Sequence, residues 1–512
     1  RWGITPDWLL NATINPDFST VETDNAQLNI NNNFALFTQE KRPFFLDNAD
    51  YFDSNYNLIY TRNINAPNYG GKLTGRENNH TFGLFVTDDD STNILIPGNR
   101  GSSIATIDGE SKARAFRYRY SYNEDITMGT VSTIRTAEDY QNIVHSVGTR
   151  IRVSTADVFK FQALYSTTEY PDDLFEQFCD ADNAEDCQKD SVKNNCDYTN
   201  CDYNEQVLRT LKDDEFSGNA FKTSYSHNDR DWYYRVTYDK QNAGFRGDLG
   251  FIPNVDYNRF SIGGDRKWYA EPGEWWTKFN IYSDWDITHN DDDELIEKEF
   301  DINAHLNASM NSYFRFSYSN RDLVGLRQDK SNLAIDGNTT LFTENQFSLF
   351  GEFKPMLGLS INSNFKYGDA IDYRNNRLGR TKQWRSKISW NVDEHLELNI
   401  KHTFNQLDAS SGGLGGSAAA VIAAGSSANA NNTKHLDLSS GVHQLLIYSA
   451  GDIYFNFATS DEDIVANNSL ILPGGSLTSI AVPLGIQGSG DTIRFNFNST
   501  STTAHVVRVV EV

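Results

Sequence analysis

From Trp275 to Thr288 the chain alternates without a break. Trp275, Thr277, Phe279, Ile281, Ser283, Trp285 and Ile287 fall on one side, and Trp276, Lys278, Asn280, Tyr282, Asp284, Asp286 and Thr288 on the other. A period of two is that of a β-strand with one greasy and one polar face. Such a length is unusual in a soluble sheet and suits a tilted strand that crosses a bilayer, of which roughly 10 residues lie in the hydrocarbon. The pattern recurs. Phe300, Ile302, Ala304 and Leu306 oppose Asp301, Asn303, His305 and Asn307. Trp384, Ser386, Ile388, Trp390 and Val392 oppose Arg385, Lys387, Ser389 and Asn391, and Leu396, Leu398, Ile400 and Phe404 oppose Glu397, Asn399, Lys401 and Thr403. The expected fold is all-β, a large antiparallel transmembrane barrel of about sixteen strands before Asp408, with each polar face toward the lumen.

Composition points the same way. Thirty-two Phe, 25 Tyr and 9 Trp stand in a chain of 512 residues that is only 38% hydrophobic, with a mean hydropathy of -0.57. Strands with one lipid face, one wet face and aromatic girdles at both interfaces produce this mixture. No apolar run reaches the length of a helical span, which excludes a helical membrane protein. The net charge of -24 argues against a nucleic-acid partner, because phosphate binding needs clustered Lys and Arg.

Connections are expected to alternate in length, with short joints at Asn123 to Asp125, Asp229 to Asp231 and Val392 to His395. Long ones are expected from Asp88 to Ser111, from Tyr170 to Ser217 and from Asn320 to Thr340. Cys179, Cys187, Cys196 and Cys201 all fall in the stretch 170–217, read as an external loop. Clustered cysteines of even number imply two local disulfides and an oxidising compartment, with the pairing open. A zinc knuckle is the weaker reading, since only Cys196 and Cys201 are close enough and no second knuckle matches them.

One early stretch breaks the alternation. In NNNFALFTQEKRPFFLDNADYF, Glu40, Lys41 and Arg42 abut Pro43, Phe44, Phe45 and Leu46, a charged and greasy knuckle that must be covered. Residues 31–57 are therefore expected to form a plug-like segment inside the barrel or at its mouth. PDFSTVETDNAQLNINNNFALFTQEKRPFFLDNADYF and the later LIYTRNI resemble an outer-membrane barrel family of unknown function, a resemblance that covers residues 1–408. Members of that family usually follow a domain similar to family 9 carbohydrate-binding modules. The resemblance implies a Gram-negative outer membrane, with lipid as a partner and loops at the cell surface. It also implies a carbohydrate-type ligand, whose associated domain is missing here. The chain opens at Arg1 without a leader and reads as a processed form or a fragment.

At Ala409 the composition changes. Residues 409–434 are small and low in complexity, which reads as a flexible linker. Residues 435–512 read as a small β-sandwich that loosely resembles decoration or fibre modules of phage virions. In the barrel family, further strands follow a stretch like HTFNQLD, so the barrel is incomplete by that comparison. A truncated fusion, a barrel closed by fewer strands, or two polypeptides joined would each account for this. Unpaired amides in lipid cost several kcal/mol per group, so an open barrel calls for a partner chain that completes it.

Catalytic signatures are absent. No H-E-x-x-H, G-x-S-x-G or phosphate loop occurs, and the best carboxylate pair, Glu40 with Asp47, is one of many that 69 acidic residues produce by chance. Glu40, Lys41 and Arg42 are expected either to contact a ligand or to anchor the plug, Glu40 by pairing with Arg117, Arg119 or Arg235. Trp268, Trp275 and Trp276, clustered around EPGEWW, are either a sugar-stacking platform or part of an interfacial girdle, the girdle being the expected reading. Asp180, Asp182 and Asp186 are the calcium candidates, without the spacing of an EF-hand, and a solvated loop is preferred. The function expected is passage or surface binding of a solute, carbohydrate-derived by what the resemblance implies, without cofactor or chemistry. The alternative is a structural or assembly subunit of a phage particle or extracellular filament.

Overall fold

The computed structural model describes residues 1–16, 31–107, 109–179, 205–212, 214–329, 332–391 and 396–409, and eight short strands between Val421 and Val510. The chain divides into two compact units, Arg1–Ser411 and Gly412–Val512.

The first unit is one antiparallel meander. Its early strands are β1 (Trp2–Thr5), β2 (Trp8–Ile14), β3 (Tyr69–Glu77) and β4 (His80–Asp89). An inserted hairpin, β5 (Thr92–Pro97) and β6 (Ser102–Ile107), pairs only with itself. The wall resumes with β7 (Ser111–Ser121), β8 (Ile126–Ala137), β9 (Tyr140–Arg152), β10 (Asp157–Glu169), β11 (Phe216–Asn228) and β12 (Trp232–Gln241). It continues through β13 (Tyr257–Tyr269), β14 (Trp276–His289), β15 (Leu295–Ala308) and β16 (Ser312–Arg327). The last four are β17 (Thr339–Met356), β18 (Leu359–Asp372), β19 (Arg377–Asn391) and β20 (Glu397–Ala409). Eighteen strands make one sheet, each paired with its neighbour in the meander, where alternation alone gave about sixteen. Among the described residues no pairing joins β1 to β20, so the sheet has two free edges.

The register aligns the apolar sides of successive strands. Phe260 and Ile262 lie opposite Ile287 and Trp285, Trp285 opposite Phe300, and Ile302 opposite Tyr318. Phe316 lies opposite Leu349, Leu349 opposite Phe365, Phe365 opposite Trp384 and Trp384 opposite Phe404. Phe260, Ile262, Phe300, Ile302, Phe316, Leu349, Phe365, Trp384 and Phe404 are all exposed, which makes a continuous outward apolar band. A band of this extent on one side of a sheet is what lipid contact requires. The first unit is thus a large antiparallel sheet of the outer-membrane barrel kind, without closure.

The two rims differ. At one, the connections are 6–7, 78–79, 122–125, 153–156, 229–231, 270–275, 309–311 and 357–358, all short. At the other, 15–68, 90–110, 170–215, 242–256 and 328–338 are long and only 138–139, 290–294 and 373–376 are brief. Among the described residues, 31–68, 90–107 and 242–256 fold inward. The stretch expected from Asp88 to Ser111 is not a plain loop: its hairpin buries Ile94, Ile96, Ala105 and Ile107 against Tyr140, Tyr170 and Leu174. β20 runs to Ala409, and Val421 and Ile422 pair with Val506 and His505.

The second unit holds two four-stranded antiparallel sheets. One joins Val421–Ile422, His505–Val510, Gln444–Tyr448 and Leu477–Ala481, and the other Lys434–Leu438, Ile493–Ser499, Ile453–Ala458 and Leu470–Leu472.

Candidate functional site

The knuckle forms because its sequence supplies both a start and a cover. Pro43 opens a single helical turn, α1 (Pro43–Leu46), where its missing N–H costs nothing. The carbonyls left over at the turn's end accept from one buried cation on β3: Lys72 Nζ donates to Phe44 O at 2.9 Å, to Phe45 O at 3.3 Å and to Asp47 O. Asn48 follows at φ 52°, a left-handed conformation that Asn tolerates, and donates to Thr74 Oγ1 at 2.8 Å. Phe45 and Phe52 then pack with Ile64 against Phe85, Ala113 and Ala115 of the wall and Leu249. Each such ring contributes about 1.5–3 kcal/mol of burial.

Glu40 does not reach Arg117, Arg119 or Arg235. Arg42 Nε donates to Glu40 Oε1 at 2.9 Å and Arg42 Nη2 to Glu40 Oε2 at 2.7 Å, a bidentate pair two residues apart. Thr61 Oγ1 donates to the same carboxylate at 2.6 Å, and Arg42 also donates to the carbonyls of Ile64 and Thr61. The guanidinium stacks 4.2 Å from the Phe45 ring centroid. Burial raises the Glu40 pKa, but the hydrogen bonds from Arg42 and Thr61 outweigh it and hold the carboxyl below its usual range. The anchoring is therefore internal to the plug, with the backbone N–H groups of Lys41 and Arg42 closing on Glu40 Oε1. Asp47 is held elsewhere, by Asn11 at 3.5 Å and Arg1 at 3.7 Å, so it shares no partner with Glu40.

A second inward segment, 242–256, was unmarked by periodicity. Phe245, Ile252 and Val255 pack with Tyr56 and Leu58 of the plug against Val131, Val144, Leu164 and Ala220 of the wall. Its backbone approaches so closely that glycine is required: a Cβ on Gly218 would lie 2.1 Å from Phe245 N, and one on Gly250 2.2 Å from Asn57 O. At its centre Asp248 accepts from Tyr140 O–H at 2.8 Å, near Arg246 and Arg135. Burial dominates, and the carboxyl is pushed up to about 6. The native chain then binds the Asp248 proton more tightly than the unfolded one. Its contribution to stability is full at low pH and is lost as pH rises from about 4 to about 6. Asp248→Asn is expected to abolish that fall, keeping the Tyr140 hydrogen bond; denaturation midpoints from pH 4 to 8 for the two proteins check it, and parallel curves sink the assignment.

The inward face of β13–β17 carries a chain of ion pairs with one residue from each strand. Arg259 lies 3.7 Å from Asp286 and 2.8 Å from Glu297, and Arg321 lies 3.5 Å from Glu297 and pairs with Glu344. Asp284 stands directly opposite Asp301, and Asp286 opposite Glu299. This sector of the lumen, toward the rim with long connections, is acidic.

Across the lumen the balance is reversed. Beneath the plug, at the short-connection rim, a cavity of 540 Å³ is lined by Arg76, Arg117, Arg119, Arg150 and Lys160, with Asp53 of the plug as the only carboxylate among the described residues. Burial and neighbouring Asp50 lift the Asp53 carboxyl above its usual range against the pull of Arg117 and Arg119. Only Arg117 and Arg119, two apart on β7, were singled out by sequence.

The tryptophans lie elsewhere. Trp268 stacks on Phe279 at 5.5 Å, with the Arg266 guanidinium 4.8 Å from Trp232 and 5.5 Å from Trp268. Trp268 follows Phe260 and Ile262 on the outward side, at the short-connection rim, with Trp275 exposed beside it in the turn and Trp276 half-buried as β14 begins. Cys179 is described and is not a free thiol. Cys187, Cys196, Cys201 and the calcium candidates Asp180, Asp182 and Asp186 lie outside the described residues.

Residues 1–86 match the family described as a domain of unknown function, DUF5916. No curated protein matches the chain. OccAB2 of Acinetobacter baumannii is similar at a TM-score of 0.36 and 11% identity, covering 68% of this chain and 87% of that one. OccK10 (OpdN) of Pseudomonas aeruginosa follows at 0.34 and 12%, covering 67% and 88%. The FrpB iron transporter from Neisseria meningitidis is similar at 0.35 and 10%, covering 65% and 58%.

Proposed function

We propose that the first unit is the wall of a bacterial outer-membrane barrel whose plugged lumen passes or binds a polar solute, without chemistry of its own. The observation that supports this is the division of each strand: β13–β20 turn an unbroken apolar band outward, whereas the inward side is charged and encloses cavities. The rim with long connections is the cell-surface rim on this reading. The free edges of β1 and β20 are met by further strands, from this polypeptide or a partner, because lipid cannot satisfy their backbone groups. A carbohydrate-derived solute rests on the sequence resemblance alone; the outward position of Trp268 favours a girdle over a sugar platform.

Fractionation and conductance together test the proposal. The chain is expected to sediment with outer membranes, to need detergent for extraction, and to give discrete conductance steps in planar bilayers. Recovery of folded protein in detergent-free buffer would overturn it.

A further inference from the structure

We propose that the cavity beneath the plug is a binding site for a solute bearing an oxyanion group, a phosphate, sulfate or carboxylate, a deepening that rests on the solute-barrel reading. The chain carries 69 acidic against 45 basic residues, so the default neighbour of a lumenal cation is a carboxylate. Several interior cations meet that expectation: Arg42 pairs with Glu40, Arg135 with Asp89, Lys222 with Asp239, and Arg259 and Arg321 with the acids between them. Others stand singly and are held by backbone carbonyls, as Lys72 and Arg246 are. In the cavity the expectation fails. Among the described residues Arg76, Arg117, Arg119, Arg150 and Lys160 form no ion pair within 4.0 Å, although five of them line one space with a single acid.

The cations are also held in an arrangement that proteins avoid without a counter-charge. Arg150 and Lys160 stand directly opposite each other across β9 and β10, and like charges in that position are destabilising. Arg117 is fixed by its Nη1, which donates to Thr130 O at 3.1 Å and Tyr118 O at 3.3 Å. Gly129 makes room for it, since a Cβ there would lie 2.6 Å from the same nitrogen. A planar guanidinium so oriented matches the two oxygens of a carboxylate or phosphate. The cavity's 540 Å³ is within the usual range for a small-molecule site, and Gln162 and Thr81 add neutral hydrogen-bonding groups. Because the lining faces inward, the expected occupant is a free solute and not a lipid headgroup.

Calorimetric titration of the detergent-purified full chain with inorganic pyrophosphate, at fixed ionic strength, tests the site. Saturable binding is expected, weakened by added salt. It is expected to fall at least about tenfold, a loss of about 1.4 kcal/mol, in Arg117→Gln/Arg119→Gln and in Arg150→Gln/Lys160→Gln. Arg315→Gln, on the inward face outside this cavity, is expected to bind as the parent does. Heat modifiability on gels verifies that each variant is folded. Absence of binding by the folded parent overturns the site, as does parental affinity in both double variants. Equal weakening by Arg315→Gln also overturns it, reducing the effect to general lumenal charge. The readout needs no membrane: binding without conductance sinks the passage reading and keeps the site, and conductance without binding does the reverse.

Discussion

Arg135→Met is expected to destabilise the first unit by about 3–5 kcal/mol, the scale for stranding one member of a buried ion pair. Arg135 sits on β8 with no exposure to solvent, 3.3 Å from an equally buried Asp89. Its guanidinium donates to Asn63 O in the segment that follows the plug at 3.1 Å, to Asn93 O in the inserted hairpin at 2.9 Å, and to Asp248 O at 3.4 Å. One side chain on the wall thus joins all three inward segments. Asp89 in turn accepts from the backbone N–H groups of Asn65 and Ala66. Methionine fills much of the volume but leaves the Asp89 charge buried and removes the guanidinium's donors to the Asn63 and Asn93 carbonyls, while Asp248 O keeps Asn63 Nδ2 at 3.2 Å. Denaturant midpoints should drop, and limited proteolysis should cut within 31–68 while the wall stays intact. A loss below about 1 kcal/mol, the range of surface pairs, would mean that these contacts do not hold the interior together.

Phe316→Arg should be nearly as damaging, for a different reason. Phe316 is 49% exposed in the middle of the apolar band, between Ala304 on one side and Leu349 on the other. If that band meets hydrocarbon, an arginine near the midplane costs about 2–4 kcal/mol. Ser317→Arg, one residue further and facing the lumen, supplies the control and should cost far less. Both are read from the folding equilibrium into lipid vesicles. Equal and small effects would mean that the outward side is not in lipid.

What the sequence makes legible follows from what its period encodes. Alternation along β13–β20 fixes which side chains share a face, so the wall and its polarity were legible from residues such as Trp285 and Asp286. The segment 242–256 carries no period. Its function is to fit, and only the density of Gly244, Gly247 and Gly250 beside Phe245 and Phe251 hinted that backbone had to pass close to something. Glu40 was read as an anchor, but its partner lay two residues away, because a tight turn folds Arg42 back where a longer-range pairing was expected. The basic cavity was out of reach altogether. Arg76, Arg150 and Lys160 come from separate strands, and only the register brings them beside Arg117 and Arg119.

The axial sorting of fixed charge has a consequence for transport. Toward one rim, on β3–β10, the cavity lining is rich in arginine and lysine, and toward the other, on β14–β17, aspartate and glutamate outnumber the arginines they pair with. A conduit with opposite fixed charges at its two ends behaves as an ionic diode. One sign of voltage sweeps cations and anions inward together and raises the carrier density, and the other empties the junction. On the proposed reading of the barrel as a conduit, such a wall would impose a preferred direction on charged solutes through the placement of its side chains.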